Sequence, residues 1–143
     1  MKHPVLLCYN IKGERAGHIN QIAMRHGIRI RHVEKEDFEQ TIASLIGMEE
    51  TTNTIYQSEG FDREMLVIAN FPSAMINSFL NSFHEAKIPA VRLKCVLTEN
   101  NSKWTSLHLY EELLQEEIYF TAIRLETEKR KKEGKANRSP KEK

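Results

Sequence analysis

One seven-residue pattern is echoed later in this chain, and the similarity of the two copies constrains the fold more than any other feature. Val5-Leu6-Leu7-Cys8-Tyr9-Asn10-Ile11 returns as Met65-Leu66-Val67-Ile68-Ala69-Asn70-Phe71, and Ile28-Arg29-Ile30-Arg31-His32-Val33 returns as Val91-Arg92-Leu93-Lys94-Cys95-Val96. Each run is short, apolar and bounded by turn residues, the pattern of a β-strand. Two copies of one unit are implied, each burying its apolar face against the other.

Helical spacing fills the intervals. Ile19, Ile22, Ala23 and His26 mark a helix that Gly27 stops, and Phe38, Ile42, Leu45 and Ile46 mark a second that Gly47 stops, with Glu36 and Asp37 in its first turn. After the third strand, Pro72-Ser73 starts a helix whose stripe is Ile76, Phe79, Leu80 and Phe83, and Ile88-Pro89 closes the following turn. Trp104, Leu107, Leu114, Ile118 and Leu125 predict a long last helix. Past Gln115 that helix has little to pack on, so Ile118, Tyr119 and Leu125 either cover a sheet face or form a homodimer contact. The expected organisation is a βαβα unit over 1–47, a polar linker over 48–64, a second βαβα unit over 65–125, and a basic tail over 126–143. The tail is expected to start helical and to lose order beyond about Glu133.

Strands 5–11 and 65–71 are almost continuously apolar, as strands buried on both faces are. Strands 28–33 and 91–96 alternate apolar with Arg or Lys. The alternating strands therefore belong at the edges. Right-handed crossovers then predict an α/β fold with one four-stranded parallel sheet, order 2-1-3-4. Helices one and four lie on one face and helices two and three on the other, about a two-fold axis along the strands.

In an open parallel sheet the ligand crevice lies at the carboxyl ends of the strands where the connections diverge. Here that places Asn10 and Asn70 opposite each other, with Lys12, Ser73 and helix N-terminal amides beside them, a set suited to a small polar or anionic ligand. Thr98 and Asn101, at the end of the fourth strand, extend the crevice. The competing structural reading is that Asn10 and Asn70 satisfy turn and cap hydrogen bonds, and that Thr98, Asn101 or Ser102 caps the last helix while Trp104 packs back on the sheet.

Catalytic, metal and cofactor signals are weak. Cys8 precedes a loop carrying Lys12, Gly13 and Arg15, which invites comparison with thiol phosphatases, but six residues separate Cys8 from Arg15 where that loop has five. His3, His18, His26, His32, His84 and His108 form no metal-ligand spacing. No phosphate-binding, dinucleotide or nucleophile-elbow motif occurs, so no catalytic residue, metal or cofactor is assigned. Cys8 and Cys95 sit inside strand-like runs and read as small buried hydrophobes. The two apolar runs are too short to span a bilayer and no signal-peptide pattern opens the chain, so a cytoplasmic location without membrane contact is expected.

The net charge of +1 hides an asymmetry: residues 124–143 carry nine Lys/Arg against four Glu, which leaves residues 1–123 at −4. The tail could hold nucleic acid through phosphate contacts. Arg29, Arg31, Arg92 and Lys94 fall on opposite edges and form no groove, so nucleic acid is not expected elsewhere.

The segment Lys94-Cys95-Val96-Leu97-Thr98-Glu99-Asn100-Asn101-Ser102-Lys103-Trp104, of pattern Lys-x-Val-Leu-Thr-x-x-Asn-x-x-Trp, resembles the bacterial domain of unknown function numbered 3783, over residues 64–115. The first half is similar in layout to the region that often precedes that domain, including Asp37-Phe38-Glu39-Gln40-Thr41. The resemblance implies a cytoplasmic bacterial protein and assigns no activity. The expected function is a non-catalytic small-ligand-binding or protein-interaction module. The alternatives are a small enzyme using the Cys8 loop and nucleic-acid binding through the tail.

Overall fold

A computed structural model describes residues 2–136. Its elements in chain order are β1 (Val5–Tyr9), α1 (Gly13–Arg25), β2 (Arg29–Val33), α2 (Ile42–Leu45), β3 (Met65–Ala69), α3 (Ser73–Glu85), β4 (Leu93–Val96) and α4 (Ser106–Ala136). They form an α/β fold with one four-stranded sheet, order β2-β1-β3-β4. The solidly apolar strands are central, with every residue of β1 and β3 buried, and the alternating strands are at the edges.

The sheet is mixed, which corrects the all-parallel expectation. β1 pairs β2 and β3 pairs β4 in parallel, but β1 and β3 run antiparallel, with Leu7 opposite Val67 at the centre of the register. The local two-fold axis of an antiparallel pair stands perpendicular to the sheet, not along the strands. Reversing β3 and β4 therefore returns a right-handed crossover helix to the face used by the first one. Accordingly α1 and α3 share one face, where Ile19, Ile22, Phe79 and Phe83 pack on Leu6, Cys8, Leu66 and Ile68. The opposite face carries α2 and α4, with Ile42, Leu45, Leu109 and Leu113 on Leu7, Tyr9, Met65 and Val67. The expected pairing of helices one with four and two with three does not occur.

The second helix is shorter than its apolar stripe predicts. Lys35–Asp37 is a single 3-10 turn, and Thr41 caps a four-residue α2 by accepting from the Ser44 N–H at 3.1 Å. Phe38 is nevertheless buried, because the chain between the two turns delivers it to the core. At the other end of the chain, α4 continues through Gly134 to Ala136. The loss of order expected farther along falls on 137–143, outside the described residues.

Residues 48–64 are more than a linker. They contain no helix or strand, yet Phe61 is buried and stacks between Phe38 at 4.6 Å and Tyr110 of α4 at 4.1 Å, with Tyr9 edging the stack at 5.8 Å. Gly60 permits this approach: its φ is +68, and a Cβ there would lie 2.8 Å from the Phe38 ring. Buried Gln40 holds the same segment by donating to the Thr52 carbonyl and accepting from its N–H, each at 2.9 Å. Beneath the stack, the buried Tyr9 hydroxyl shares a 2.7 Å hydrogen bond with Ser106, tying the start of α4 to the sheet.

Phe61→Ala should therefore cost about 3–5 kcal/mol, as a cavity in a packed core does. A residue in a surface linker would cost within about 0.5 kcal/mol. Urea denaturation followed by circular dichroism distinguishes the two.

Candidate functional site

The antiparallel seam divides the site residues expected from sequence into two groups. Asn10 and Lys12 lie at the carboxyl end of β1, beside the start of β3. Asn70, Ser73, Thr98 and Asn101 lie at the carboxyl ends of β3 and β4, at the other end of the sheet. Asn10 and Asn70 are about six strand residues apart, roughly 20 Å, so the central crevice between them does not form.

Both asparagines adopt the left-handed conformation, φ 60 and 64, which their short polar side chains tolerate. The Asn10 Nδ2 group donates to the carbonyls of Phe61 at 2.8 Å and Arg63 at 3.0 Å, and that of Asn70 donates to His3 at 3.3 Å. These bonds tie each strand end to a distant segment of the chain, the approach to β3 for Asn10 and the start of the described chain for Asn70. Thr98 and Asn101 serve the local backbone. The Thr98 N–H donates to Asn101 Oδ1 at 2.8 Å, the Asn101 N–H donates to Thr98 Oγ1 at 3.0 Å, and Asn101 Nδ2 reaches the Val96 carbonyl. They close the turn before Trp104, while α4 itself is capped by Thr105, whose Oγ1 accepts from the His108 N–H. Ser73 is exposed at the first turn of α3.

Asn10 and Lys12 remain together in a polar pocket of about 260 Å³ at the carboxyl ends of β1 and β2, lined also by His32, Glu34, Lys35 and Asp62. Cys8 contributes to its floor, but the residue is 1% exposed and burial pushes its thiol up to about 12. A thiol at that value supplies almost no thiolate at neutral pH, so the Cys8 loop lacks the nucleophile an enzyme of that type needs. Among the described residues, no three His, Cys, Asp or Glu side chains cluster to hold a metal ion, and no helix is long and apolar enough to cross a membrane.

Two of the four edge cations are accounted for locally. Arg31 donates to the Leu45 carbonyl, and half-buried Lys94 donates to the Val91 carbonyl, with its pKa lowered by desolvation.

The largest departure from an ordinary closed surface is α4. Leu109 and Leu113 bury against the sheet, and Glu117 is clamped by Arg63 through two parallel hydrogen bonds of 2.6 and 2.9 Å. Beyond that clamp about 28 Å of helix continues. It exposes Ile118 (56%), Tyr119 (62%), Phe120 (64%), Ile123 (44%) and Leu125 (56%). Periodicity named Ile118, Tyr119 and Leu125. It missed Phe120 and Ile123, whose only signal was their place in the same helix.

Fold and site together define a small α/β protein of mixed sheet with a protruding C-terminal helix. Residues 64–120, from the approach to β3 through the exposed start of that protrusion, match the family described as Domain of unknown function (DUF3783), the family to which the Lys94–Trp104 motif pointed. No curated protein and no solved structure matches the chain.

The Arg63 clamp holds the Glu117 carboxyl below its ordinary value of 4.5, chiefly through the hydrogen bonds. A depressed folded pKa contributes stability above 4.5 that declines as pH falls toward the folded value. Glu117→Gln should cost about 0.5–1 kcal/mol at pH 7, with the gap to the wild-type chain closing below pH 4.5; urea midpoints across the pH range read this. Native Cys8 should resist alkylation by iodoacetamide, scored by mass spectrometry, until urea unfolds the chain.

Proposed function

We propose that this protein is a non-catalytic protein-interaction module whose working surface is residues 118–125 of α4. The observation that carries the reading is the cluster of five large apolar side chains, each 44–64% exposed, on a helix that has passed its last clamp to the body. Large apolar side chains scattered singly are ordinary on a protein surface, but a contiguous cluster marks a contact site. The body supports the helix rigidly at its base through the Tyr9–Ser106 hydrogen bond, the Phe61–Tyr110 stack and the Arg63–Glu117 pair.

The scaffold is read as two copies of one unit. Three correspondences support this. Asn10 and Asn70 share a left-handed conformation at equivalent strand ends, Gly27 and Lys87 do so just past α1 and α3, and Thr41 and Thr105, each before a helix, pair with one another. The expected cytoplasmic, bacterial setting belongs to the same reading.

A second reading, binding of a small polar or anionic ligand, is favoured by the pocket that unites Asn10 and Lys12. The N-terminus of α1, which has no side-chain cap, opens beside it. If it is right, a metabolite that raises the melting temperature of the wild-type chain will lose that effect on the exposed Lys12→Ala variant.

The interaction reading is tested by placing a photo-crosslinking amino acid at Ile118, and separately at the exposed Met24 of α1, in the full chain in cells. Covalent protein adducts should form from position 118 and not from position 24. Equal or absent yields from the two positions would remove the reading.

A further inference from the structure

We infer that the surface on α4 is completed by a second copy of this chain, its α4 lying antiparallel with Ile118 of each copy opposite Leu125 of the other. This rests on the interaction reading above and specifies its partner. The helix is built in two halves of opposite charge. Residues 106–121 contain Glu111, Glu112, Glu116 and Glu117 and no Lys or Arg, whereas residues 122–136 contain six Lys/Arg against three Glu. Parallel association would stack like halves on each other. An antiparallel arrangement sets each acidic half against a basic one.

The register follows from the apolar centre. A two-fold axis between Thr121 and Ala122 places Ile118 against Leu125, with the two small residues at the crossing, where they let the helices approach closely; Phe120 and Ile123, about 140–200° further round each helix, stay outside this contact. The same axis sets Glu111 against Lys132 and the aliphatic stem of Lys129 against Leu114. Such an interface is self-complementary: residue i meets residue j and j meets i, as two-fold association requires. Ile118, Leu125, Glu111 and Lys132 fall within a narrow stripe at 100° per residue. Buried Leu109 and Leu113 face the sheet from the other side of the helix, so the body leaves the stripe open. Positive and negative ends would also serve the dipole of a lone helix, but that leaves Ile118 and Leu125 in water.

Sedimentation equilibrium on the full chain tests the inference, with circular dichroism confirming that each variant keeps its helix. The wild-type chain should dimerise at micromolar concentration. Ile118→Ser/Leu125→Ser should weaken the dimer at least a hundredfold. Glu111→Lys/Glu112→Lys and Lys131→Glu/Lys132→Glu should each weaken it about tenfold, and combining all four changes should restore it. In a parallel dimer the charge reversals would change nothing, and that result overturns the inference. It is overturned as well by a dimer indifferent to Ile118→Ser/Leu125→Ser, or by a chain monomeric throughout. A monomeric chain that still yields adducts from position 118 in cells removes the second copy and leaves the interaction surface standing with a different partner. A monomeric chain without adducts removes both.

Discussion

The antiparallel seam between β1 and β3 is the constraint on which the rest of the structure depends. Each flanking strand pairs in parallel with its own central strand, so each half can be joined by a short crossover helix. With the halves opposed in direction, both crossover helices fall on one face, where α1 and α3 lie side by side and His26, just past α1, reaches Ser82 of α3 at 3.1 Å. The other face is then left to whatever else the chain can supply. A four-residue helix cannot cover it, and so the segment 48–64 and the base of α4 are drawn in.

That second face explains why an irregular, mostly polar segment matters to stability. Its covering layer is an aromatic stack assembled from distant parts of the chain: Phe38 before α2, Phe61 before β3 and Tyr110 in α4, resting on Tyr9. Rings stacked at these separations bury large areas without regular secondary structure. The stack also orients α4, because Tyr110 and the buried Ser106 sit in its first two turns and fix the direction in which the helix leaves the body.

The same seam decides where function can reside. By turning the carboxyl ends of β1 and β3 to opposite ends of the sheet, it separates Asn10 from Asn70 and leaves each bonded to a distant segment of the chain. A polar pocket lies at the carboxyl ends of β1 and β2. What the fold presents to the outside is a helix held at three points near its base and apolar where it is no longer held.

The order of the strands, the helices α1 and α3, and the burial of Phe38, Ile42 and Leu45 were all legible in the sequence, because burial on one or both faces leaves a periodicity that any reader of the chain can measure. The direction of β3 relative to β1 was not, since Met65–Ala69 is apolar throughout and a strand buried on both faces has the same hydrophobic pattern read forwards or backwards. Only the docking of Phe61 on Tyr9 and the pairing of Leu7 with Val67 decide it, and both are contacts between residues more than fifty positions apart. The apolar side chains of α4 were visible as letters. That they face solvent was decided by where the body ends, at the Arg63–Glu117 clamp, because exposure belongs to a surface and not to a sequence.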